Sequence, residues 1–418
     1  MPELLAPAGS PEKLKFAFAY GADAAYAGVP FFSLRARENE FNWENLAEGV
    51  ALARALKKKI YLTVNIFSRN TKLATFANDL DRIIALAPDA LIMSDPGLIA
   101  MVRERSARLP IHLSVQANCT NWRSVRFWQS VGITRIILSR ELRLTEIREI
   151  ADHAPEVELE AFVHGSMCIA YSGRCLLSRY MSNRDANQGV CDNSCRYPMR
   201  LYERSSEFFV EDGRTPGKLY PIEEDEHGTY VLSAKDLKLI EYLQELRAAG
   251  VTSFKIEGRT KSIFYLAVVT RAYRIAIDAL ASGGALDPAL NEELERITRR
   301  GYHAGFLVAS DQTPSEEYTK ALRGQDASGF LGLVIGRMSE DRVYQVEVRG
   351  RIQLDVELEA MSPRGLKTVR VLKIEGPSGR LLSEAHSGLK GVAVTFSEAL
   401  EEFTLLRDQR AFARLLDD

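Results

Sequence analysis

Cys168, Cys175, Cys191 and Cys195 stand in one stretch of the chain, separated by six, fifteen and three residues. Thiolates are the donors that hold zinc and iron–sulfur centres. Zinc sites bring their thiolates in tight pairs, roughly two to four residues apart, and only Cys191 and Cys195 meet that spacing. Iron–sulfur clusters take four cysteines over more varied loops, so the spacing favours such a cluster over zinc, with unligated thiols as the third reading. The fifth cysteine, Cys119, stands apart and reads as a small buried hydrophobe. The same window carries Arg174, Arg179, Arg184, Arg196, Arg200 and Arg204 against Asp185, Asp192 and Glu203, with Tyr171, Tyr180, Tyr197 and Tyr202 interleaved. Guanidinium groups beside aromatic rings suit single-stranded RNA, which makes Arg174, Arg179, Tyr180 and Arg196 candidate RNA contacts. The plainer alternative is a solvated loop whose arginines balance anionic thiolates.

A second set of chemistry-bearing residues falls at the ends of short apolar runs. Candidate strands cover 4–6, 24–27, 59–65, 90–95, 111–116, 135–141, 157–164 and 253–259, with amphipathic segments such as 42–58 and 233–249 between or after them. Eight strands alternating with helices over some 260 residues predict a (β/α)8 TIM-like barrel, whose active site lies at the C-terminal ends of its strands. Alternate residues of a barrel strand point inward. On that parity Glu158, Glu160, Phe162 and His164 of the seventh strand face the lumen, as do Lys255, Glu257 and Arg259 of the eighth. Glu158 and Lys255, deeper in, read as a structural ion-pair ladder, whereas His164 and Arg259 lie nearest the mouth. Asn65, Asp95, Gln116, Asn118, Arg140 and Glu141 also end strands, and Arg35 and Arg37 follow the second strand on the same face. Arginines and amides converging there suit a small carboxylate-bearing ligand. Arg35, Arg37, Asn65, Gln116, Arg140 and Arg259 are therefore the candidate substrate-binding set.

The remaining organisation follows from these elements. The chain has 418 residues, 46% of them apolar, enough for more than one core. The barrel is expected over 1–283, with a cysteine-rich, cluster-binding and flap insertion at 165–231 after the seventh strand. A helical connector follows at 284–328. From 329 to 418 alternating strands with turn residues predict a small antiparallel β-barrel accessory domain. Fifty-four basic against 56 acidic residues leave a formal charge of -2, so nucleic acid binding must come from a local patch. No leader-like start and no long apolar run stand in the sequence, and a soluble cytoplasmic protein with no membrane contact is expected. In that compartment clustered cysteines are metal or redox groups rather than a disulfide framework. A peptidase would need a nucleophile and base; Ser166 or Ser172 near His164 is the local offering, without a G-x-S-x-G elbow, and H-E-x-x-H is absent.

The stretch EAFVHGSMCIAYSGRCLLS at 160–178 resembles the signature of the collagenase-like peptidase family of unassigned catalytic type. PELLAPAG, FSLRARENEFN, DALIMSDPGLI, IHLSVQAN, ILSREL, EDEHGTY, KIEGRTKS and RGYHAGF extend the resemblance through the barrel and into the connector. Within that family the likeness is to members that modify RNA. It implies prephenate-dependent, oxygen-independent hydroxylation of the wobble uridine of tRNA to 5-hydroxyuridine, with a [4Fe-4S] cluster on Cys168, Cys175, Cys191 and Cys195. Prephenate carries two carboxylates, which matches the cations at the expected mouth. On this reading the excursion holds the anticodon loop, His164 and Glu257 transfer protons near the substrate, and an electron donor is a partner class. A collagenase-like peptidase and a non-catalytic RNA-binding scaffold are the alternatives.

Overall fold

The computed structural model describes residues 1–34, 39–167, 171, 175, 186, 191, 208–211, 219–225, 228–230, 235–297, 301–308, 329–339 and 341–408. Strands β1 (Glu3–Ala8), β2 (Ala24–Gly28), β3 (Lys59–Val64), β4 (Ala90–Met93), β5 (Ile111–Leu113), β6 (Arg135–Ile137) and β7 (Glu158–Ser166) pair in parallel in chain order. After β8 (Phe208–Glu211), β9 (Leu219–Asp225), β10 (Gly228–Tyr230) and β11 (Asp236–Lys238) comes β12 (Val251–Ile256), parallel to both β7 and β1. The eight-stranded barrel is thereby closed, as the sequence pattern predicts.

Helices α1 (Pro11–Ala19), α2 (Trp43–Ala55), α3 (Asn70–Ala85), α4 (Pro96–Arg105), α5 (Trp122–Ser130) and α6 (Leu144–His153) each follow a strand. Several begin on a capping side chain, with Ser10, Asn42, Asp95 and Asn121 each accepting a backbone N–H of the first helical turn. These caps fix the loops at the C-terminal face of the barrel. Asp95, flagged by its position at a strand end, is engaged there, accepting from Gly97, Leu98 and Ser68 backbone N–H groups.

One segment differs from expectation. The helix expected over 233–249 is confined to α7 (Leu243–Ala248), preceded by a 3-10 turn at Ile240–Tyr242. Ahead of it β11 runs antiparallel to the end of β7, pairing Asp236 with Ser166 and Lys238 with His164. Its pairing groups extend the sheet and bury Leu237 and Leu239, which outweighs a helical pattern read from periodicity alone. Strands β8, β9 and β10 of the expected flap pair as an antiparallel β8-β9-β10 meander.

Helix α8 (Ile263–Ala281) is buried over most of its surface because it is covered on both sides. Inward it packs on β1; outward it meets α9 (Ala289–Glu295) and the C-terminal β-barrel. That barrel consists of β14 (Phe330–Ser339), β15 (Val343–Val348), β17 (Glu357–Ser362), β18 (Gly365–Glu375), β20 (Val392–Phe396) and β21 (Leu405–Arg407). A small pair, β16 (Arg351–Gln353) with β19 (Glu384–His386), accompanies it. The closing strand β21 spans three residues, too short for any alternation to announce it. The barrels are joined by specific contacts: the Tyr20 hydroxyl donates to the carbonyls of Met361 and Phe403 at 2.9 and 2.8 Å, Phe264 stacks on Phe330, and Arg407 pairs with Glu293 at 2.8 Å. No helix among the described residues is long and apolar enough to cross a membrane.

Candidate active site at the barrel mouth

The lumen divides by height. Its floor is an ion-pair ladder: Arg135, 4% exposed, reaches Glu3 at 2.6 Å, Glu158 at 2.7 Å and Glu160 at 3.2 Å. Lys255 Nζ lies 2.7 Å from Glu160, a fully buried carboxylate. The Tyr61 hydroxyl donates to Glu3 Oε2, and Ser253 Oγ lies within hydrogen-bond distance of Glu3 Oε1 and Glu160 Oε2, the oxygens Arg135 also meets. Burial pushes the Glu3 carboxyl up, but the Arg135 charge and hydrogen bonds overcome it and hold the group below its ordinary value. Burial lowers Lys255 against the pull of Glu160, and lowers His112 with Arg135 and Lys255 adding to the effect. Such a ladder, fully engaged, is structural, as its depth in the sequence pattern suggests.

Above it lies the mouth. The Tyr26 hydroxyl donates to the Ile256 carbonyl at 2.9 Å and to Glu257 Oε2 at 3.2 Å. Arg259, 6% exposed, donates to Thr63 Oγ1 at 3.2 Å and to the Leu34 carbonyl, while Asn65 Oδ1 accepts from the Leu34 N–H at 3.0 Å. Arg259 and Asn65 thus brace the loop after β2 from inside. Arg140 donates from Nη1 to the Ser166 carbonyl at 2.9 Å and lies 3.9 Å over the Phe162 ring. Among the described residues Arg140 has no carboxylate partner. Its Nε and the Ser139 Oγ are buried without a hydrogen-bond partner among them. Both residues line an otherwise apolar cavity of about 30 Å³, room for one or two waters and too small for a dicarboxylate. Gln116 is half-buried in the 3-10 turn Val115–Ala117 that follows β5.

His164 is not in the lumen. The β7–β12 register shifts by one residue between the pairs Phe162–Lys255 and His164–Ile256, so β7 bulges at Val163 and its parity reverses. His164 then points, like Ile256, toward the helices. It is fully buried, with Nδ1 3.3 Å from the Tyr273 hydroxyl, Nε2 3.2 Å from the Tyr302 hydroxyl, and Tyr265 alongside. Burial drives its pKa down to about 3, so the imidazole is neutral. With both ring nitrogens facing tyrosines it does not serve as a base for Ser166. Gly165 completes the bulge at φ +111°; a Cβ there would lie 2.3 Å from the Glu257 carbonyl, which requires glycine.

The sequence-derived set thus divides. Asn65, Gln116, Arg140, Glu257 and Arg259 stand at strand ends on the mouth side. Arg35, Arg37, Arg174, Arg179, Tyr180, Arg196, Cys168 and Cys195 lie outside the described residues. Cys175 and Cys191 are half-buried, and Cys119 is buried with its thiol pushed up to about 12 by burial. β7 delivers the chain to buried Met167, immediately before Cys168. Four thiolates beginning at the barrel rim are the right donor set for a cubane cluster. Tyr26 was missed by sequence reasoning; a single hydroxyl-bearing ring in the otherwise small-residue run Ala24–Gly28 was the available signal.

A parallel eight-stranded barrel carrying polar groups at its mouth and a cysteine-bearing excursion after its seventh strand defines a class of barrel enzyme. The family model for peptidase family U32 matches residues 9–317, and the chain belongs to that family. It is 44% identical over 411 residues to the tRNA hydroxylation protein P of Escherichia coli, covering 91% of this chain and 90% of that protein. It is 32% identical over 320 residues to a collagenase of Porphyromonas gingivalis, covering 73% of each chain. It is also 32% identical over 346 residues to an Escherichia coli 23S rRNA 5-hydroxycytidine synthase, covering 80% of this chain and 48% of that one.

Proposed function

We propose that this protein is a tRNA-modifying enzyme of the cytoplasm that hydroxylates the wobble uridine to 5-hydroxyuridine, with prephenate as co-substrate and a [4Fe-4S] cluster as cofactor. The observation that carries the reading is the near full-length similarity to a tRNA hydroxylation protein, joined to a barrel mouth whose Arg140 lacks a carboxylate partner among the described residues. The related rRNA hydroxycytidine synthase adds a second RNA-hydroxylating relative. Cys168, Cys175, Cys191 and Cys195 hold the cluster, which when bound supplies one-electron chemistry, exchanged with an external electron donor. Arg140 offers the ligand carboxylate a charged donor, and Arg259 with Asn65 sets the rim. Glu257, which accepts from the Tyr26 hydroxyl, holds or moves a proton at the mouth on this reading. His164 keeps the neutral form and positions the root of the excursion instead.

The peptidase reading has one relative in its favour, the collagenase. Against it stands His164, the only histidine near the candidate serines in sequence, locked between tyrosines. The test is nucleoside mass spectrometry of tRNA from cells lacking the protein, complemented with wild type or Cys175→Ser. 5-Hydroxyuridine restored by wild type alone, together with iron and acid-labile sulfide in the anaerobically purified wild type and not the variant, is expected. Modification that persists in the deletion strain, or protein cleavage that survives loss of the cysteines, overturns the proposal.

A further inference from the structure

The loop after β2 presents two adjacent phenylalanines in opposite directions. Phe32 is fully buried and packs edge-on against Phe76, with ring centroids 5.3 Å apart. Phe31 is 70% exposed, and its backbone is left-handed at φ +67°, a region a bulky residue rarely occupies. The described part of the loop that holds this conformation is tied down at several points. Val29 N–H donates to the Thr63 carbonyl at 3.2 Å, Leu34 N–H to Asn65 at 3.0 Å, and Lys72 Nζ to the Phe31 carbonyl itself at 3.2 Å. Arg259 donates to the Leu34 carbonyl from within the barrel. A strained residue kept in place by surrounding bonds while its ring stays in solvent points to use of the ring.

The position narrows that use. β2 ends at Gly28, so this loop forms part of the C-terminal rim, and the bonds that brace it come from mouth residues Arg259 and Asn65. A nucleobase drawn out of a stacked strand leaves its neighbour with a bare face, and an aromatic ring at the rim restores that stacking, with lysine or arginine close by for the phosphates. We infer that Phe31 is a stacking platform for an unpaired nucleobase of the RNA substrate, flanking the base that enters the barrel. The inference rests on the RNA-modifying reading above and assigns the rim residue that positions its substrate.

The experiment uses the full-length chain and a fluorescently labelled anticodon stem-loop, with affinity read by anisotropy. Phe31→Ala weakens binding by roughly five- to a hundredfold while its thermal midpoint stays that of wild type. Phe31→Trp retains affinity, and its added indole emission is quenched on titration with the stem-loop. Phe31→Gly relieves the left-handed backbone; it binds as weakly as the alanine variant if stacking matters, and as well as wild type if the residue is only a turn. Wild-type affinity in Phe31→Ala or Phe31→Gly, or an unquenched Phe31→Trp that binds, overturns the platform. Failure of the wild-type chain to bind the stem-loop overturns the RNA reading, and the platform with it.

Discussion

The floor and the mouth of one barrel use the same residue types to opposite ends. At the floor Arg135 and Lys255 are met by Glu3, Glu158 and Glu160, and the pattern closes on itself within the protein. At the mouth Arg140 lies against a carbonyl and a phenyl ring, with no carboxylate partner among the described residues. A buried charge met by opposite charges stabilises a shape; a guanidinium resting on neutral acceptors keeps much of its field for an incoming anion. The barrel thus separates stability from recognition along its axis. Breaking the two ends should produce different phenotypes.

The largest effect is expected at the floor. Glu160→Leu leaves Lys255 buried without its contacting carboxylate and costs about 3–5 kcal/mol, read as a shift in the chemical denaturation midpoint. Arg135 keeps Glu3 and Glu158, so the loss centres on Lys255. Adding Lys255→Met to the same chain removes the stranded charge and recovers most of that loss. A double variant no more stable than the single one would show that the ladder's value lies in packing rather than charge.

The same division explains what the sequence could and could not reveal. The floor was legible: Glu158, Glu160 and Lys255 alternate with apolar residues, and alternation maps onto inside and outside as long as the register holds. The pairing is regular from Glu160 to Phe162, between an irregularity at Val251/Ser253 in β12 and one at Val163, where one extra residue in β7 turns His164 toward α8. No periodicity encodes that bulge; its sequence trace is Gly165, required by the approach of the Glu257 carbonyl. Likewise β11 is short and is held by its pairing with β7, a long-range contact that local propensity does not carry. The cysteines are read as donors from their chemistry rather than from geometry, and Cys168 and Cys195 lie outside the described residues.

Acid sharpens the comparison next. His164 is buried neutral with a pKa of about 3 and His112 is pushed well below its ordinary value, so the unfolded chain takes up protons that the folded chain refuses. Their stabilising contribution is complete above about pH 6.5 and is lost as pH falls toward the folded values, at roughly 1.4 kcal/mol per pH unit for each. Glu3, held below its ordinary value by Arg135, adds its own loss at lower pH, as it passes from its unfolded toward its folded value. Denaturation midpoints measured from pH 7 to 4 should fall along this slope, and His164→Gln should flatten it by one histidine's share. A slope unchanged by that substitution would mean His164 can be protonated where it sits.

At the mouth the sign of the comparison reverses. Arg140→Ala should lower prephenate affinity by about ten- to a hundredfold, the worth of a charge-assisted pair, while moving the denaturation midpoint little because no carboxylate among the described residues depends on it. Calorimetric titration beside denaturation gives both readings from one preparation. A variant that binds prephenate normally but unfolds early would place Arg140 with the floor.

The smallest effect tests the bulge that divides the two ends. Tyr302→Phe removes the hydroxyl 3.2 Å from His164 Nε2 and leaves the ring packing in place. The loss should be about 0.5–1.5 kcal/mol, the net worth of a hydrogen bond between neutral groups. Tyr302 belongs to β13 (Tyr302–His303), which pairs with β11, itself paired with the end of β7 that leads to Cys168. The tyrosine therefore ties the connector to the strand that launches the cysteine-bearing excursion. If His164 only fills space, iron content of Tyr302→Phe equals that of wild type and only the midpoint moves. If the histidine positions the root of the excursion, iron occupancy falls as well, and the outward turn at Val163 is then part of how this barrel holds its cysteines.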